Sequence, residues 1–370
     1  MKKLLFIFGT RPEAIKMAPI IHAAKKLPKT FEIKICLTGQ HKEMLQQVMQ
    51  FFKLQEDFDI SLMKPNQTLF DITAEALTGI QKVLEKFTPD LILVQGDTTT
   101  AFVGALAAYY KKIKIAHVEA GLRSFDKYAP FPEEINRKMV ASLADIHFAP
   151  TIKAAQNLQS ENIQENIFVT GNTVIDALLW AKEKTFHEPE YANDFNYLNL
   201  NKKIILVTGH RRESFGKPFE EICEALYDLS ISFPDVQIVY PVHLNPNVQE
   251  VVKRHLSNRK NVFLVSPMDY PHLVWLMNHS YIVLTDSGGI QEEAPSLGKP
   301  VLVMREVTER TEGIEAGTAI LVGTSKEKIK TEVTQMLQDE QHYQKMSRAV
   351  NPYGTGDSAE KIIRILQEYL

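Results

Sequence analysis

The sequence predicts an α/β protein with two doubly wound parallel sheets, one in each half of the chain. Two observations support this fold class. The chain has 370 residues, too many for one ordinary core, and short β-rich runs alternate with helical patterns throughout. We predict strands at residues 4–8, 32–37, 91–94, 113–118 and 146–149, and then at 204–207, 236–242, 262–265, 281–284 and 301–304.

The alternation lapses in one polar stretch, residues 186–200, which is the predicted link between two domains. We therefore predict an N-terminal domain over residues 1–185 and a C-terminal domain over residues 186–370. The helical pattern at 173–184 is compatible with either domain, and the last helix could pack back on the N-terminal one. Two domains of this size fit the ordinary range of about 100–200 residues.

Composition excludes several classes of protein. Hydrophobic residues make up 44% and charged residues 24%, and the net charge of −3 argues against a nucleic-acid or membrane partner. The two cysteines lie in segments that look buried, which argues against disulfides and thiolate metal sites. The apolar run after residue 3 is shorter than a secretion signal requires, so we expect a cytoplasmic protein.

Cofactor motifs are absent from the sequence. No Gly-x-Gly-x-x-Gly or Gly-x-x-x-x-Gly-Lys-Ser/Thr pattern is present, and the eleven histidines are scattered rather than paired. We therefore predict neither a bound dinucleotide nor a metal. The unusual polar residues follow the predicted strands instead, where open α/β sheets bind ligands, so both halves are expected to line a shared cleft.

The first strand is followed by a turn with the sequence GTRPEAIK, residues 9–16. Thr10 and Glu13 have the spacing of a capping box, which is a sufficient structural reason for both. Capping does not explain Arg11 and Lys16, two cations beside a helix N-terminus. We predict that these two contact an anion.

Three acidic sites follow in the first half. Asp97 comes after a strand and could simply cap the next helix, and Glu133 and Glu134 could simply favour a helix N-terminus. Glu119 leaves a strand that should be buried on both faces, which capping explains less well. Three such acids opposite a basic site favour acid/base catalysis.

The second half carries basic residues at two strand ends. His210, Arg211 and Arg212 follow its first strand and could hold a pyrophosphate, although a surface salt-bridge turn would account for them too. His243 follows the next strand and is equally compatible with a structural hydrogen bond. Arg310 begins a later loop and adds a cation.

The run from 281 to 293 is the most informative segment, because a strand, two glycines and a helix start adjoin there. Ser287, Gly288 and Gly289 would direct backbone N–H groups and the helix dipole at a phosphate. Glu293, with Glu292 predicted in the first turn, could accept hydrogen bonds from ribose hydroxyls. The structural alternative is a plain helix cap at Ser287.

Taken in order, these motifs resemble those of the non-hydrolysing UDP-N-acetylglucosamine 2-epimerases along nearly the whole chain. The resemblance implies two Rossmann-like domains in the glycosyltransferase-B arrangement, facing an interdomain cleft. It also implies a homodimer, no cofactor, and conversion of UDP-GlcNAc to UDP-ManNAc for surface polysaccharide synthesis. The matching segments are residues 9–14, 39–41, 96–100, 117–123, 132–137, 209–213, 286–295, 309–313 and 351–354.

The resemblance also implies roles for single residues. The catalytic positions are Asp97, Glu119, Glu133 and His210, and the UDP-binding positions are Arg11, Lys16, Ser287, Gly288, Gly289, Glu293 and Arg310. Positions associated with activation by substrate at a second site are Gln40, Glu134, Arg211 and His243. This chain departs from the regulated relatives at Asn66, where an arginine is expected, so a second site would bind its effector more weakly.

Chemistry favours an elimination. The C2 hydrogen of the sugar is not beside a carbonyl, so a carboxylate near pH 7 cannot remove it directly. Departure of UDP makes this hydrogen acidic, and its removal gives 2-acetamidoglucal, to which UDP re-adds after protonation on the other face. A glycosyltransferase of the same fold, a hydrolysing epimerase and a non-catalytic nucleotide-sugar sensor are the alternatives.

Overall fold

The computed structural model describes residues 1–39, 42–62, 67–209 and 214–370. Strands in these ranges are Lys2–Phe8 (β1), Phe31–Leu37 (β2), Phe58–Asp59 (β3), Leu91–Gln95 (β4), Lys114–Val118 (β5), Ile146–Ala149 (β6), Ile167–Val169 (β7), Ile204–Thr208 (β8), Gln237–Pro241 (β9), Val262–Val265 (β10), Ile282–Thr285 (β11), Val301–Val303 (β12) and Ala319–Leu321 (β13).

Helices in the same ranges are Arg11–Lys25 (α1), Lys42–Phe51 (α2), Leu69–Lys86 (α3), Thr99–Tyr110 (α4), Glu133–Leu143 (α5), Ile152–Ser160 (α6), Thr173–His187 (α7), Pro189–Asp194 (α8), Lys217–Ser232 (α9), Pro246–Leu256 (α10), Tyr270–His279 (α11), Gly288–Ser296 (α12), Thr311–Glu315 (α13), Lys326–Gln338 (α14), Glu340–Ser347 (α15) and Ser358–Tyr369 (α16).

The chain divides into two compact units. Unit 1 comprises Met1–Ala177 and Tyr353–Leu370, and unit 2 comprises Leu178–Pro352. The division falls inside α7. The domain boundary predicted after residue 185 stays a prediction, but the polar stretch around it contains α8, a helix that the sequence did not indicate.

Unit 1 contains a parallel sheet of seven strands in the order β3-β2-β1-β4-β5-β6-β7. Residues 4–8 of β1 and all of β4 are buried, since helices cover both faces of the sheet. The chain moves outward from β1 to β2 on one side and resumes at β4 on the other. This change of direction opens a crevice at the carboxyl ends of β1 and β4, where residues 9–16 and 96–100 lie.

Unit 2 repeats this plan with six parallel strands in the order β10-β9-β8-β11-β12-β13. Its change of direction lies between β8 and β11, so the segment after β11, residues 286–293, stands at the crevice. Both units are doubly wound and Rossmann-like, which confirms the predicted fold class.

The ten predicted strands are all present, with ends shifted by at most two residues. Prediction missed β3, β7 and β13, which contain only two or three residues and lie at the sheet edges. Edge strands are covered less completely than central ones, so their apolar signal is weak. No helix of the described residues is long and apolar enough to span a membrane.

Helix α16 belongs to unit 1 and packs against α1. Its first turn is held by the backbone N–H of Ala359, which donates to Asp176 Oδ1 on α7 at 2.8 Å. The preceding loop crosses Gly171, where an added Cβ would lie 2.6 Å from Ser358 Oγ. Only glycine permits so close an approach, so the end of the chain is fixed beside residues 171–176.

Candidate active site

Glu119 is an acid of unit 1 that accepts four side-chain hydrogen bonds. It follows β5 directly and has a left-handed backbone φ of +63°, a conformation that costs a non-glycine residue on the order of 1–3 kcal/mol. Its side chain accepts hydrogen bonds from Lys16 Nζ at 2.6 and 2.8 Å and from Asn172 Nδ2 at 2.9 Å. The amide of Gln95 also donates to it in a short hydrogen bond. Such donors favour the ionised form of a carboxylate.

The start of α1 carries an acid, Glu13, and a cation, Lys16, that make different contacts. Glu13 and Thr10 form the predicted capping box, and Glu13 also accepts from Thr98 Oγ1 at 2.6 Å. Burial raises the pKa of Glu13. Lys16 lies one turn later and pairs with Glu119, whereas the side chain of half-buried Arg11 has no hydrogen bond or ion pair within the described part of the chain.

Asp97 does not cap α4, contrary to the structural alternative that the sequence left open. Thr98 is the N-cap, and its hydroxyl accepts from Ala101 N at 3.1 Å. Asp97 instead pairs with Arg137 on α5, which donates through Nε at 3.1 Å and through Nη2. Sequence reasoning gave Arg137 no role. Its position one turn after the acids of α5 was the available signal.

The two acids that begin α5 have different environments. Glu134 is fully buried and accepts hydrogen bonds from the backbone N–H groups of Ser124 and Phe125 at 3.0 and 3.2 Å and from Arg137 at 3.1 Å. Glu133 is half-buried. Arg137 thus brings Asp97 and Glu134 together, and the contacts of Glu134 give it a structural role in the loop before α5.

His117 is a buried neutral group beneath this site. Its Nε2 lies 2.7 Å from the carbonyl oxygen of Gly96, so Nε2 carries the proton. Burial lowers the pKa of His117 to about 3. The hydrogen bond supports the turn at Gly96, which has a φ of +69° and an added Cβ position 3.5 Å from Glu119 Oε2.

In unit 2, α12 begins directly after β11. Ser287 is the N-cap residue by position, but its side chain makes no capping hydrogen bond. The structural alternative therefore gave the N-cap position correctly, but the Ser287 side chain does not cap the helix. The prediction of acids in the first turn is wrong, because Glu292 and Glu293 lie in the second turn. The helix start combines backbone N–H groups with a positive dipole end.

Glu293 lies almost buried behind this helix start. Tyr270 on α11 donates its hydroxyl to Glu293 Oε1 at 2.9 Å, and Oε2 is 3.7 Å from a Cβ built on Gly289. Burial and the neighbouring carboxylate hold the pKa of Tyr270 well above its usual value. Sequence reasoning missed Tyr270 because nothing local links it to residues 23 positions away.

Arg310 lies beside the same helix start. Its Nε donates to Glu292 at 2.9 Å and its Nη1 to Glu309 at 2.7 Å. A Cβ on Gly288 would lie 3.2 Å from the guanidinium carbon, so a residue with a side chain would crowd Arg310 at this position. Burial would raise the pKa of Glu309, but Arg310 and Arg305 lower it to about 2. Glu292 and Glu309 therefore hold the guanidinium in one orientation.

Four predicted site residues, Gln40, Asn66, His210 and Arg211, lie outside the described residues. His243 is exposed, and its Nδ1 accepts a hydrogen bond from Asn245 N at 3.1 Å. That contact is the structural alternative which the sequence left open for His243.

The chain matches the family model for UDP-N-acetylglucosamine 2-epimerase over residues 23–367. It is 56% identical to the UDP-N-acetylglucosamine 2-epimerase of Salmonella typhimurium, with 99% of each chain covered. The structure of UDP-GlcNAc 2-epimerase from Neisseria meningitidis bound to UDP-GlcNAc matches with a TM-score of 0.92 and 46% identity, covering 99% of this chain and 100% of that one. The Methanocaldococcus jannaschii enzyme in complex with UDP-GlcNAc and UDP matches with a TM-score of 0.83 and 37% identity, covering 99% of both.

Proposed function

The chain belongs to the UDP-N-acetylglucosamine 2-epimerase family, and we propose that it interconverts UDP-GlcNAc and UDP-ManNAc by elimination and re-addition of UDP. The observation that carries this mechanism is the environment of Glu119. Its two oxygens each accept hydrogen bonds, and such donors favour the ionised form of a carboxylate, which a base needs at neutral pH.

The proposed reaction begins with cleavage of the C1–O bond to UDP. The electron pair leaves with the pyrophosphate, and the sugar ring gains oxocarbenium character. A carboxylate then takes the C2 proton on the face opposite the departing UDP, which gives 2-acetamidoglucal. Protonation of C2 from the other face and return of UDP to C1 complete the inversion, with no net oxidation.

Unit 1 would supply the proton-transfer groups. We assign base and acid roles to Glu119, Asp97 and Glu133. The support is that Glu119 and Asp97 are both anchored by cations, Lys16 and Arg137, at carboxyl ends of neighbouring strands. His210 would complete the set by its match to the family pattern.

Unit 2 would hold the nucleotide. Backbone N–H groups at Ser287, Gly288 and Gly289 and the guanidinium of Arg310 would stabilise the pyrophosphate, which carries the developing negative charge. Glu293 would accept hydrogen bonds from the ribose hydroxyls. The relatives crystallised with UDP-GlcNAc and UDP support this ligand class.

Deuterium incorporation tests the mechanism. The protein is incubated with UDP-GlcNAc alone in D2O, and proton NMR follows the C2 position. We expect UDP-ManNAc with deuterium at C2 and deuterium washing into the remaining UDP-GlcNAc. Product that keeps its C2 protium would exclude the elimination.

The same incubation separates the alternatives. A glycosyltransferase would convert nothing without an acceptor, and a hydrolysing epimerase would release free ManNAc.

We further propose that the product supplies surface polysaccharide synthesis and that the protein is a homodimer. Light scattering of the purified protein tests the second statement.

A further inference from the structure

We propose that Gln95 and Asn172 are positioning residues that fix the carboxylate of Glu119 for proton transfer. The inference rests on the proposed function, because it assumes that Glu119 is a proton-transfer group. It adds two neutral amides, from two separate segments of unit 1, to the groups on which the reaction depends.

The two amides donate to different oxygens of the Glu119 carboxylate. Asn172 donates to Oε1 and Gln95 donates to Oε2, so each oxygen receives one amide besides its bond from Lys16. Four donated hydrogen bonds from three directions fix both the position and the rotation of the carboxylate plane. Lysine alone could not do this, because its ammonium rotates freely on a flexible stem.

Both amides are themselves buried. Gln95 is the last residue of β4 and is 3% exposed, and Asn172 is 2% exposed. Asn172 also donates its backbone N–H to Tyr353 at 2.7 Å and accepts from Val174 N at 3.2 Å through Oδ1. The segment that includes Tyr353 therefore holds Asn172 in place, and Asn172 holds Glu119.

Neutral donors suit a base better than additional cations would. Each amide stabilises the ionised carboxylate without a full positive charge that would suppress its basicity. Among the described groups near Glu119, Lys16 on α1 donates to its carboxylate, and His117 on β5 is neutral because burial lowers its pKa to about 3. Removing an amide should therefore raise the pKa of Glu119 and also leave its side chain less firmly oriented.

The test uses Gln95→Met and Asn172→Ala, which remove the donors. We expect kcat to fall about 10-fold for each, the size of one hydrogen bond to a charged group. The acidic limb of the kcat/KM profile, which reports the base of the free enzyme, should move up by about one pH unit. The thermal shift induced by UDP should stay as in the parent protein.

Asn261→Ala is the matched control. Its amide is partly buried and donates to the carbonyls of Ser230, Phe233 and Val236 in unit 2 at 2.9–3.2 Å. This variant should lower Tm without moving the acidic limb. A lower Tm and a lower kcat in the Gln95→Met and Asn172→Ala variants, with the acidic limb of the kcat/KM profile unmoved, would show a merely structural role. That result would overturn the proposal.

The Glu119→Gln variant distinguishes a failure of the proposed role of Glu119 from a failure of the positioning role of the two amides. Near-normal turnover in this variant would overturn the role of Glu119 and this inference with it. An inactive Glu119→Gln variant, combined with parental kcat and an unmoved acidic limb in both amide variants, would overturn the positioning role alone.

Discussion

The two units use the same sheet plan but hold opposite charges at their strand ends. In unit 1 the anchored groups are carboxylates: Lys16 pairs with Glu119 and Arg137 with Asp97. In unit 2 the anchored group is a cation, because Glu292 and Glu309 orient Arg310 beside a helix N-terminus. The sheet topology thus provides a crevice at the carboxyl ends of the strands. The side chains that follow each strand determine whether this crevice suits proton transfer or phosphate binding.

The largest effect should come from neutralising the central acid of unit 1. Glu119→Gln should lower kcat on the order of 10²–10⁴-fold and leave the UDP-induced thermal shift intact, because a glutamine cannot accept the proton. Steady-state kinetics and thermal melts measure both quantities.

Glu13→Gln is the control, since Glu13 is a buried acid in the same unit but serves the capping box. It should change Tm more than kcat. If it costs as much turnover as Glu119→Gln, the distinction between structural and catalytic acids in unit 1 is wrong.

The corresponding change in unit 2 should affect binding instead. Arg310→Lys keeps the charge but loses the planar fork, so UDP affinity should drop about 10- to 100-fold. The measurement is the UDP-induced shift relative to the variant's own Tm, because Glu292 and Glu309 lose a fixed partner as well.

Arg254→Ala removes a cation of unit 2 that forms an exposed ion pair with Glu220 at 3.1 Å. Its UDP-induced shift should equal that of the parent protein. Equal shifts in the Arg310→Lys and Arg254→Ala variants would place the phosphates elsewhere.

His117 in unit 1 and His272 in unit 2 should respond oppositely to pH. Burial lowers the pKa of His117 to about 3 and that of His147 to about 4, below the ordinary 6.5. The unfolded chain then binds protons that the folded chain does not, so the free energy of unfolding falls as the pH drops from 6.5 towards 4. His117→Gln should weaken this fall in Tm measured against pH.

In unit 2 a hydrogen bond to Asp269 and another to Asp194 raise the pKa of His272 to about 8, although burial opposes them. This stabilisation is complete below pH 6.5 and is lost as the pH rises through 8. His272→Gln should flatten the Tm profile between those values. Parental profiles in both histidine variants would contradict the assigned pKa directions.

The smallest effect should come from Tyr270→Phe, which removes the hydroxyl that orients Glu293. UDP affinity should fall about two- to tenfold, the worth of one ordinary hydrogen bond. Titration with uridine would sharpen the comparison, because a loss shared by UDP and uridine locates the effect at the ribose. A loss for UDP alone would contradict the assignment of Glu293 to the ribose.

Local features were predictable from the sequence. The capping box of Thr10 and Glu13 depends on residues three positions apart, and the central strands are continuous apolar runs because both their faces are buried. The glycines at 288 and 289 likewise marked a close backbone approach. These signals depend only on residues that are close together in the sequence, so the sequence alone is sufficient to predict them.

The partners of the site residues were not predictable in this way. Lys16 and Glu119 are 103 positions apart, Asp97 and Arg137 are 40 apart, and Glu119 and Asn172 are 53 apart. Lys16 was assigned to an anion without its carboxylate, and Asn172 was missed together with the short strand β7 before it. Pairings across such distances arise only when parallel strands bring their carboxyl ends to one edge.

The sequence by itself determined the alternation of strands and helices, the positions of the turns and the chemical types of the residues after each strand. The tertiary structure decided which of those residues meet and what each one does. Glu13 and Glu119 are both buried glutamates of unit 1, yet one completes a cap and the other accepts from Lys16, Gln95 and Asn172. The physical reason is that a carboxylate's role depends on the donors around it, and packing brings those donors from distant segments.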